Sequence, residues 1–307
     1  MKVAYISGAE SDIPAEYVKQ LRDAGIVLDC KRCEGEEATA AFCADADFVW
    51  MRGRNMGLTG DVLKRLPKCR AIMRSGSGMD DVPCEAAKAL GIQALNTPES
   101  IAECVAEHAV TLLFAAARRI VQYDRRVRDE HKWSLLPMDW HLTGRTLGLA
   151  GYGHIARLVE RMVGGFNMEV IHYDPYQENS TPLEELLSRS DFVSLHCPLT
   201  PQTHHLMNAE RFAMMKPKAI LVNTSRGGVV DQSALVDALK KGIIGAAAID
   251  VMDDEPVDRI MPADSPLLDA PNLIITPHVA AFSADFVKNF WSCSVKRILD
   301  FRDKEAL

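Results

Sequence analysis

Residues 146–163 read TLGLAGYGHIARLVERMV, a short apolar run that leads through two glycines into a helical pattern. Gly151, Gly153 and Ala156 give the spacing G-x-G-x-x-A at the point where a strand turns into a helix. Glycines there let the backbone approach a pyrophosphate, which the free N–H groups and the dipole of the helix N-terminus stabilise. The stretch predicts a dinucleotide-binding βα unit, with cofactor contacts from Gly151, Tyr152, Gly153, His154 and Ile155.

The next apolar run, Met168–Tyr173, ends at Asp174, 23 residues after Gly151. A carboxylate at this distance accepts hydrogen bonds from both ribose hydroxyls of NAD, and it would repel the 2′-phosphate of NADP. The following residues, Pro175-Tyr176-Gln177, supply no basic side chain that could bind such a phosphate. The pattern favours NAD as the cofactor, against the alternative that Asp174 is a solvated turn residue before a proline.

Apolar or β-branched runs alternate with amphipathic helical stretches along most of the chain. Because this alternation is typical of βαβ units, the predicted class is α/β with two doubly wound parallel sheets. The first series of strands is predicted at Val3–Ser7, Ile26–Cys30, Phe48–Met51, Ala71–Arg74 and Gln93–Asn96. We expect a flavodoxin-like substrate domain over residues 1–98 and 285–307, a Rossmann NAD-binding domain over residues 99–284, and a cleft between them.

Two helical stretches connect the predicted domains. Residues 101–120, IAECVAEHAVTLLFAAARRI, predict one long helix that bridges the domains, because it is too long for a simple crossover. Residues 282–301 have helical periodicity and no strand after them, which indicates a helix that folds back over the first domain.

Composition narrows the class of partner and the compartment. The chain has 35 basic and 42 acidic residues, so it lacks the positive charge that nucleic-acid or acidic-membrane binding requires. The apolar run near its first residue is too short for a signal peptide, and polar residues follow it too soon. Eight scattered cysteines fit reduced thiols in the cytoplasm, and the one C-x-x-C pair, Cys30 and Cys33, has no further ligands at zinc spacing, so no metal is predicted.

A hydride-transferring enzyme that acts on a 2-oxo acid needs a cation for the carboxylate and an acid/base for the hydroxyl proton. Arginine and histidine suit these roles, but spacing alone does not say which ones act. Candidates at the carboxyl ends of second-domain strands are Arg226, Asp250, Glu255 and His278. His196 is predicted to be structural, and His204 and His205 are predicted to be solvated without a matched acid.

Around these candidates, three segments are similar to the late motifs of the D-isomer-specific 2-hydroxyacid dehydrogenase family: KPKAILVNTSRGGVVDQSALVDAL, AAAIDVMDDEP and NLIITPHVA. The resemblance covers nearly the whole chain, because RSGSGMDDVP, the bridge helix, the glycine sequence and LHCPLTPQT follow in the family's order. It implies an NAD-dependent oxidoreductase that moves a hydride between the nicotinamide and a small D-2-hydroxy or 2-oxo acid. It also implies a homodimer formed through the Rossmann domain.

By this resemblance, Arg226 binds the carboxylate and oxo group of the substrate, a task that its planar fork of donors suits. His278 is the general acid/base, and Glu255 hydrogen-bonds its other ring nitrogen. The simpler alternatives are a salt-bridged arginine at a strand end, a histidine bound to backbone after Pro277 and a glutamate at a helix start.

The resemblance also assigns cofactor and substrate contacts. Asp250 accepts from the nicotinamide carboxamide, and further contacts in the cofactor groove come from Cys197, Pro198, Thr224 and Ser225. The backbone N–H groups of Ser77 and Gly78 receive the substrate carboxylate. Arg52 occupies the position of a substrate-contacting arginine in several members, although Arg54 could substitute and a surface arginine is an equal alternative.

Three other functions compete with this prediction. Formate oxidation is disfavoured because relatives with that activity carry glutamine where this chain has Glu255. A phosphite dehydrogenase keeps the same arginine, glutamate and histidine, so these residues do not exclude it. A non-catalytic, NAD-sensing co-repressor is the alternative outside the enzymes. Loops select the side chain of the 2-oxo acid, and no sequence motif in them identifies it. Glyoxylate, hydroxypyruvate and bulkier acids are therefore all possible substrates.

Overall fold

The computed structural model describes residues 1–136, 141–253, 255–256 and 260–305. The chain divides into two compact units, one made of Met1–Ala102 and Ser283–Leu307 and the other of Glu103–Phe282. Each unit contains one parallel sheet with helices, so the predicted α/β class with two doubly wound sheets is confirmed. Within the described ranges, no helix is long and apolar enough to cross a membrane.

The first unit is built on a five-stranded sheet in the order β2-β1-β3-β4-β5, which is the flavodoxin-like order. Its strands are β1 (Lys2–Tyr5), β2 (Val27–Cys30), β3 (Phe48–Arg52), β4 (Ala71–Ser75) and β5 (Gln93–Asn96). Its helices are α1 (Ala15–Asp23), α2 (Glu36–Cys43), α3 (Gly60–Lys64), α4 (Cys84–Ala89) and, from the C-terminal segment, α11 (Phe286–Glu305).

Aromatic side chains on one face of this sheet pack against α11. The Trp50 and Trp291 rings meet edge to face at 5.6 Å between centroids, and the Phe48 and Phe301 rings do so at 5.3 Å. All four side chains are buried, so their contacts remove a large apolar area from water. The helix predicted to fold back at the C-terminus therefore completes the core of the first unit.

The second unit is built on a six-stranded parallel sheet in the order β11-β10-β9-β8-β6-β7. Its strands are β6 (Thr146–Ala150), β7 (Glu169–Tyr173), β8 (Phe192–Leu195), β9 (Ile220–Asn223), β10 (Ala246–Ile249) and β11 (Leu273–Ile275). Its helices are α5 (Ala102–Ala117), α6 (Ile120–Arg128), α7 (His154–Val163), α8 (Leu183–Arg189), α9 (Ala209–Met214) and α10 (Gln232–Lys240). The chain adds β7 on one side of β6 and then crosses to add β8 on the other side. Sheets of this kind bind ligands at such a switch point, here between β6 and β8.

The single long bridge helix predicted for residues 101–120 is wrong in one respect. Helix α5 ends at Ala117, and α6 begins at Ile120 after Arg119 adopts a left-handed conformation with φ 51°. The Arg119 guanidinium donates to Asn272 Oδ1 at 3.2 Å. This contact with a distant loop helps to hold a break that no local glycine or proline marks.

Candidate active site

The glycine loop follows β6 at the switch point. Gly151 has φ +88°, and a Cβ there would lie 2.6 Å from the backbone nitrogen of Cys197, which follows β8. Only glycine fits this position, because the conformation is left-handed and the neighbouring atom is backbone. Around Gly153, at the start of α7, a Cβ would meet nothing within 4 Å. The loop thus brings bare backbone to a helix N-terminus, the arrangement that binds a pyrophosphate.

Asp174 lies directly after β7 and is fixed to this loop. Its Oδ2 accepts from the Tyr152 backbone N–H at 2.9 Å, and its Oδ1 accepts from the Tyr176 N–H at 2.9 Å. The Ser180 hydroxyl accepts from the Asp174 N–H at 2.8 Å. The carboxylate is therefore held in one orientation beside the glycine loop, where a ribose of a dinucleotide would bind.

Arg157 contacts both the glycine loop and the loop after β7, and the sequence did not indicate it. Its guanidinium carbon lies 4.5 Å from the centre of the Tyr152 ring, and its Nη2 donates to Gln177 Oε1 at 3.2 Å. Tyr152 in turn stacks on His172 at 3.8 Å and donates its hydroxyl to Glu160. Arg157 comes from α7, one turn beyond the glycines, which is the feature that could have identified it.

The ends of β8 and β9 supply the other predicted cofactor residues. Cys197 and Pro198 follow β8, and burial raises the pKa of the Cys197 thiol to about 11, so it stays protonated at neutral pH. Thr224 follows β9, and its Oγ1 is buried without a hydrogen-bond partner among the described residues. Since a buried hydroxyl is costly to leave unpaired, this atom fits a groove completed by a polar ligand such as a dinucleotide.

Arg226 is positioned by Asn223, a residue not singled out in the sequence. The Asn223 side chain accepts from the Ser225 N–H and hydroxyl and donates to the Arg226 carbonyl at 2.9 Å. The Arg226 guanidinium donates to the Ser225 carbonyl at 2.7 Å. A Cβ on the next residue, Gly227, would lie 1.9 Å from the Met252 carbonyl carbon, so these two backbones are in direct contact. The arginine turn therefore packs against the segment that leads to Glu255.

His278 and Glu255 form a hydrogen-bonded pair. Nδ1 of His278 lies 2.8 Å from Glu255 Oε2, and both side chains are partly exposed. His278 has φ 53°, a left-handed conformation that is unfavourable for a residue other than glycine. Because Glu255 engages Nδ1, the other ring nitrogen, Nε2, is the atom through which His278 can exchange a proton with a bound molecule.

Asp250 is the centre of the hydrogen bonds beneath this pair. Its Oδ1 accepts from the Thr276 hydroxyl at 2.5 Å and the Val279 N–H at 3.0 Å, and its Oδ2 accepts from the Ala280 N–H at 2.9 Å. His108 Nε2 is 3.4 Å from Oδ1. Burial alone raises the pKa of Asp250, but these hydrogen bonds outweigh it and lower that pKa below its usual value. Asp250 therefore stays ionised in a buried position.

The remaining predicted residues lie in the first unit. Arg52 ends β3, beside a pocket of about 170 Å³ whose other polar side chains are Ser7, Arg32, Arg54 and Asn55. Its guanidinium carbon lies 5.3 Å from the centre of the Trp291 ring.

Ser77 and Gly78 follow β4 in a loop that Arg74 ties to the end of β3. Arg74 donates to the Gly53 carbonyl at 3.0 Å and to the Gly78 carbonyl at 2.9 Å. The sequence did not single out this arginine, although its place near the end of β4 is where it could have been sought. The substrate residues predicted for the first domain thus lie at the carboxyl ends of two neighbouring strands, with Arg52 at the end of β3 and Ser77 and Gly78 in the loop after β4.

The other histidines differ in their surroundings. His196 Nε2 is 2.9 Å from Ser194 Oγ, and burial lowers the pKa of His196 to about 4, so it is neutral at physiological pH. The rings of His204 and His205 stack at 3.9 Å, and His205 Nε2 lies 3.8 Å from Asp253 Oδ2. The expectation that these two residues lack an acid beside them is therefore wrong for His205.

The chain matches known proteins across both units. Residues 110–280 match the family model described as D-isomer specific 2-hydroxyacid dehydrogenase, NAD binding domain. A glyoxylate reductase from Korarchaeum cryptofilum is 39% identical over 262 residues, which cover 81% of this chain and 77% of the reductase. A D-3-phosphoglycerate dehydrogenase from Methanocaldococcus jannaschii is 39% identical over 258 residues, 80% of this chain but only 47% of that enzyme. The fold is also similar to the structure of D-lactate dehydrogenase from Aquifex aeolicus complexed with NAD and lactic acid, with a TM-score of 0.83 and 27% identity. The match covers 99% of this chain and 96% of that one.

Proposed function

The chain belongs to the D-isomer specific 2-hydroxyacid dehydrogenase family, and from that membership we propose that Arg226, Glu255 and His278 carry its reaction. The protein is an NAD-dependent oxidoreductase that moves a hydride between the nicotinamide and a small 2-hydroxy or 2-oxo acid. The relatives are named as reductases and dehydrogenases, which supports an enzyme of this kind over phosphite oxidation or an NAD-sensing co-repressor. The observation that carries the residue assignment is the 2.8 Å contact between His278 Nδ1 and Glu255.

We propose the following division of roles. Arg226 binds the substrate carboxylate and polarises the 2-oxo group with its fork of donors. His278 gives a proton from Nε2 to the carbonyl oxygen during reduction and takes it back during oxidation. Glu255 accepts a hydrogen bond from the Nδ1–H group, so it orients the ring and stabilises the protonated form that starts a reduction.

Backbone at the switch point and flanking side chains would hold the cofactor. The residues that would hold it are Gly151, Tyr152, Gly153, His154, Ile155, Asp174, Cys197, Pro198, Thr224, Ser225 and Asp250. The bare loop at Gly151 fits a dinucleotide, and so does the Thr224 hydroxyl, which has no hydrogen-bond partner in the described part of the chain. When bound, NAD supplies or accepts the hydride. In the first unit, the backbone of Ser77 and Gly78 and the side chain of Arg52 are proposed to bind the substrate.

A panel of 2-oxo acids, assayed with NADH and NADPH in parallel, tests this proposal. Cofactor oxidation at 340 nm should appear with at least one small acid such as glyoxylate or hydroxypyruvate. Because Asp174 is fixed to the glycine loop, NADH should be preferred by about tenfold or more, which corresponds to at least about 1.4 kcal/mol. Equal or better use of NADPH would contradict the role of Asp174, and no turnover with any acid would contradict the function.

The acid/base assignment is tested by substitution. His278→Ala should lower kcat about 100- to 10,000-fold, the usual contribution of a general acid/base, while the affinity for NADH changes less than twofold. Glu255→Gln should lower kcat less, because the ring keeps a hydrogen-bond acceptor but loses the charge. His204→Ala, which removes an exposed histidine, is the matched control and should keep kcat within twofold. An unchanged kcat in His278→Ala would remove that residue from the mechanism.

We further propose a cytoplasmic location and a homodimer formed through the second unit. All eight cysteines lie in the described residues and are free, which suits a reducing compartment. The dimer is supported by Ile120, Val127, Trp133 and Leu135, which are among the large apolar side chains of the second unit that face solvent.

A further inference from the structure

His108 connects helix α5 to the loop that carries His278, although neither its sequence position nor the family motifs gave it a role. Its Nε2 lies 3.0 Å from Thr276 Oγ1 and 3.4 Å from Asp250 Oδ1. The three side chains form a compact group in which the Asp250 carboxylate is fully buried. His108 is only partly exposed, so it is not a solvated surface histidine.

The direction of the hydrogen bonds follows from the donors available. Asp250 is ionised and can only accept, so the Thr276 hydroxyl donates to it at 2.5 Å. With its proton committed to Asp250, Thr276 Oγ1 accepts from His108, whose Nε2 must therefore carry a hydrogen. The chain of donation runs from His108 through Thr276 to Asp250.

Asp250 fixes the backbone on both sides of His278. Its main-chain carbonyl accepts the His278 N–H at 2.8 Å, and its carboxylate accepts the N–H groups of Val279 and Ala280. A left-handed conformation is unfavourable for a residue other than glycine, and it persists only where surrounding contacts determine it. The contacts to Asp250 are those that hold His278 at φ 53° with its ring directed at Glu255.

We propose that His108 is a positioning residue for the acid/base His278. It acts by keeping the Thr276 hydroxyl directed at Asp250 and by stabilising the buried carboxylate that holds residues 278–280. The proposal rests on the proposed role of His278, but its structural part concerns only the conformation of this loop. Loss of the donor at residue 108 should loosen the loop, so that the Nε2 atom of His278 spends less time in its productive position.

The experiment compares His108→Leu, which removes the donor, with His108→Gln, whose amide can still donate to Thr276. We expect His108→Leu to lower kcat about tenfold or more with the proposed 2-oxo acid substrate, and to leave the NADH dissociation constant within twofold. His108→Gln should recover most of the lost kcat. Glu107→Gln, on the exposed side of the same helix, is the control and should match the wild type.

Hydrogen exchange measured by mass spectrometry supplies a readout that does not depend on turnover. The amides of residues 278–280 should exchange about tenfold faster in His108→Leu, and their protection should return in His108→Gln. If the amides of residues 278–280 exchange in His108→Leu at the wild-type rate, the proposal is overturned, whatever the activity of the variant. If the wild type fails to reduce any acid, the proposed function fails, while the exchange data still decide the role of His108.

Two further results would also overturn the proposal. If His108→Gln is as impaired as His108→Leu and both melt at the same lowered temperature, the residue serves packing alone. If NADH affinity falls while kcat is unchanged, His108 contributes to cofactor binding and does not position His278.

Discussion

Arg157 lies beside Gln177 in the loop after β7, although that loop contains no basic residue of its own. It reaches this place from α7, and its partner Gln177 is 20 residues away in the chain. The packing of a helix against its own sheet sets such a contact, and hydrophobic periodicity does not specify which side chains meet there. The matching NAD-binding family model supports NAD as the cofactor, and the selection of NAD over NADP by Asp174, which is bonded to the glycine loop, stays a prediction.

The proposed acid/base pair shows another contact that local sequence patterns do not predict. The chemistry of a 2-oxo acid called for an arginine and a histidine, but the pairing of His278 with Glu255 came only from family resemblance. The left-handed backbone of His278 was not predicted, since nothing in the local sequence requires it. We attribute it to the hydrogen bonds from residues 276–280 to Asp250, which lies in another segment of the chain.

His196 makes the stability of the folded protein depend on pH. Burial lowers its pKa from 6.5 to about 4, so the unfolded chain binds a proton between these values that the folded protein does not. The contribution of neutral His196 to the free energy of unfolding is therefore fully present above pH 6.5 and is lost as the pH falls toward 4. Between pH 7.5 and pH 5.0 this effect lowers the free energy of unfolding by about 2 kcal/mol.

Urea unfolding of the wild type and of His196→Gln at these two pH values measures the effect. Glutamine keeps a polar partner for Ser194 but does not titrate, so the variant should lose less stability on acidification than the wild type. The same pH dependence in both proteins would show that His196 does not remain neutral in the folded state.

At the scale of the elements, the break between α5 and α6 is where the helical pattern misled. Apolar residues continue at helical spacing from residue 101 to residue 120, and neither glycine nor proline interrupts them. The helix nevertheless stops, because Arg119 turns into a left-handed conformation and bonds to Asn272. A tertiary contact of this kind overrides local propensity, which is a weak preference.

Gly227 joins two of the elements that carry the proposed catalytic residues. Its backbone lies against the Met252 carbonyl, so the methyl group of Gly227→Ala would have to displace main chain. We expect this variant to lower the free energy of unfolding by about 1–3 kcal/mol, the usual cost of overpacking, and to lower kcat by shifting Arg226 relative to the segment of Glu255.

Gly165→Ala is the matched control, because a Cβ there meets none of the described residues within 4 Å and its φ is compatible with alanine. Urea unfolding measures the stability of both variants, and steady-state kinetics measures their kcat. If Gly227→Ala is as stable and as active as Gly165→Ala, the close approach of the two backbones has no energetic consequence.

At the scale of the whole molecule, the alternation of strands and helices was sufficient to predict two parallel sheets. Strands were expected within one or two residues of those observed in the first unit, as for Ile26–Cys30 against β2. Parallel strands need helical crossovers, and right-handed crossovers leave few possible strand orders. The loops were less predictable, because their side chains meet across segments that are distant in the chain, as Arg74 does with Gly53.

The proposed homodimer follows from apolar side chains that the second unit leaves in water. Trp133 is 93% exposed and Leu135 is 90% exposed. The segment that carries them is not loose, since Arg126 donates to Ser134 Oγ at 2.8 Å and the Leu136 N–H donates to the Tyr123 hydroxyl at 3.2 Å. An apolar pair held out from α6 in this way fits an interface with a second copy of the chain.

Size-exclusion chromatography with light scattering should give twice the chain mass of 33.9 kDa for the wild type at micromolar concentration. The double variant Trp133→Ser and Leu135→Ser should weaken association about 100-fold, or about 3 kcal/mol, because two large apolar side chains no longer leave water on binding. Tyr176→Ser, which alters an equally exposed aromatic residue in the loop after β7, should remain dimeric. If the wild type has the mass of a monomer, the proposed homodimer is wrong. If the double variant dimerises as the wild type does, the surface around Trp133 and Leu135 is not the interface.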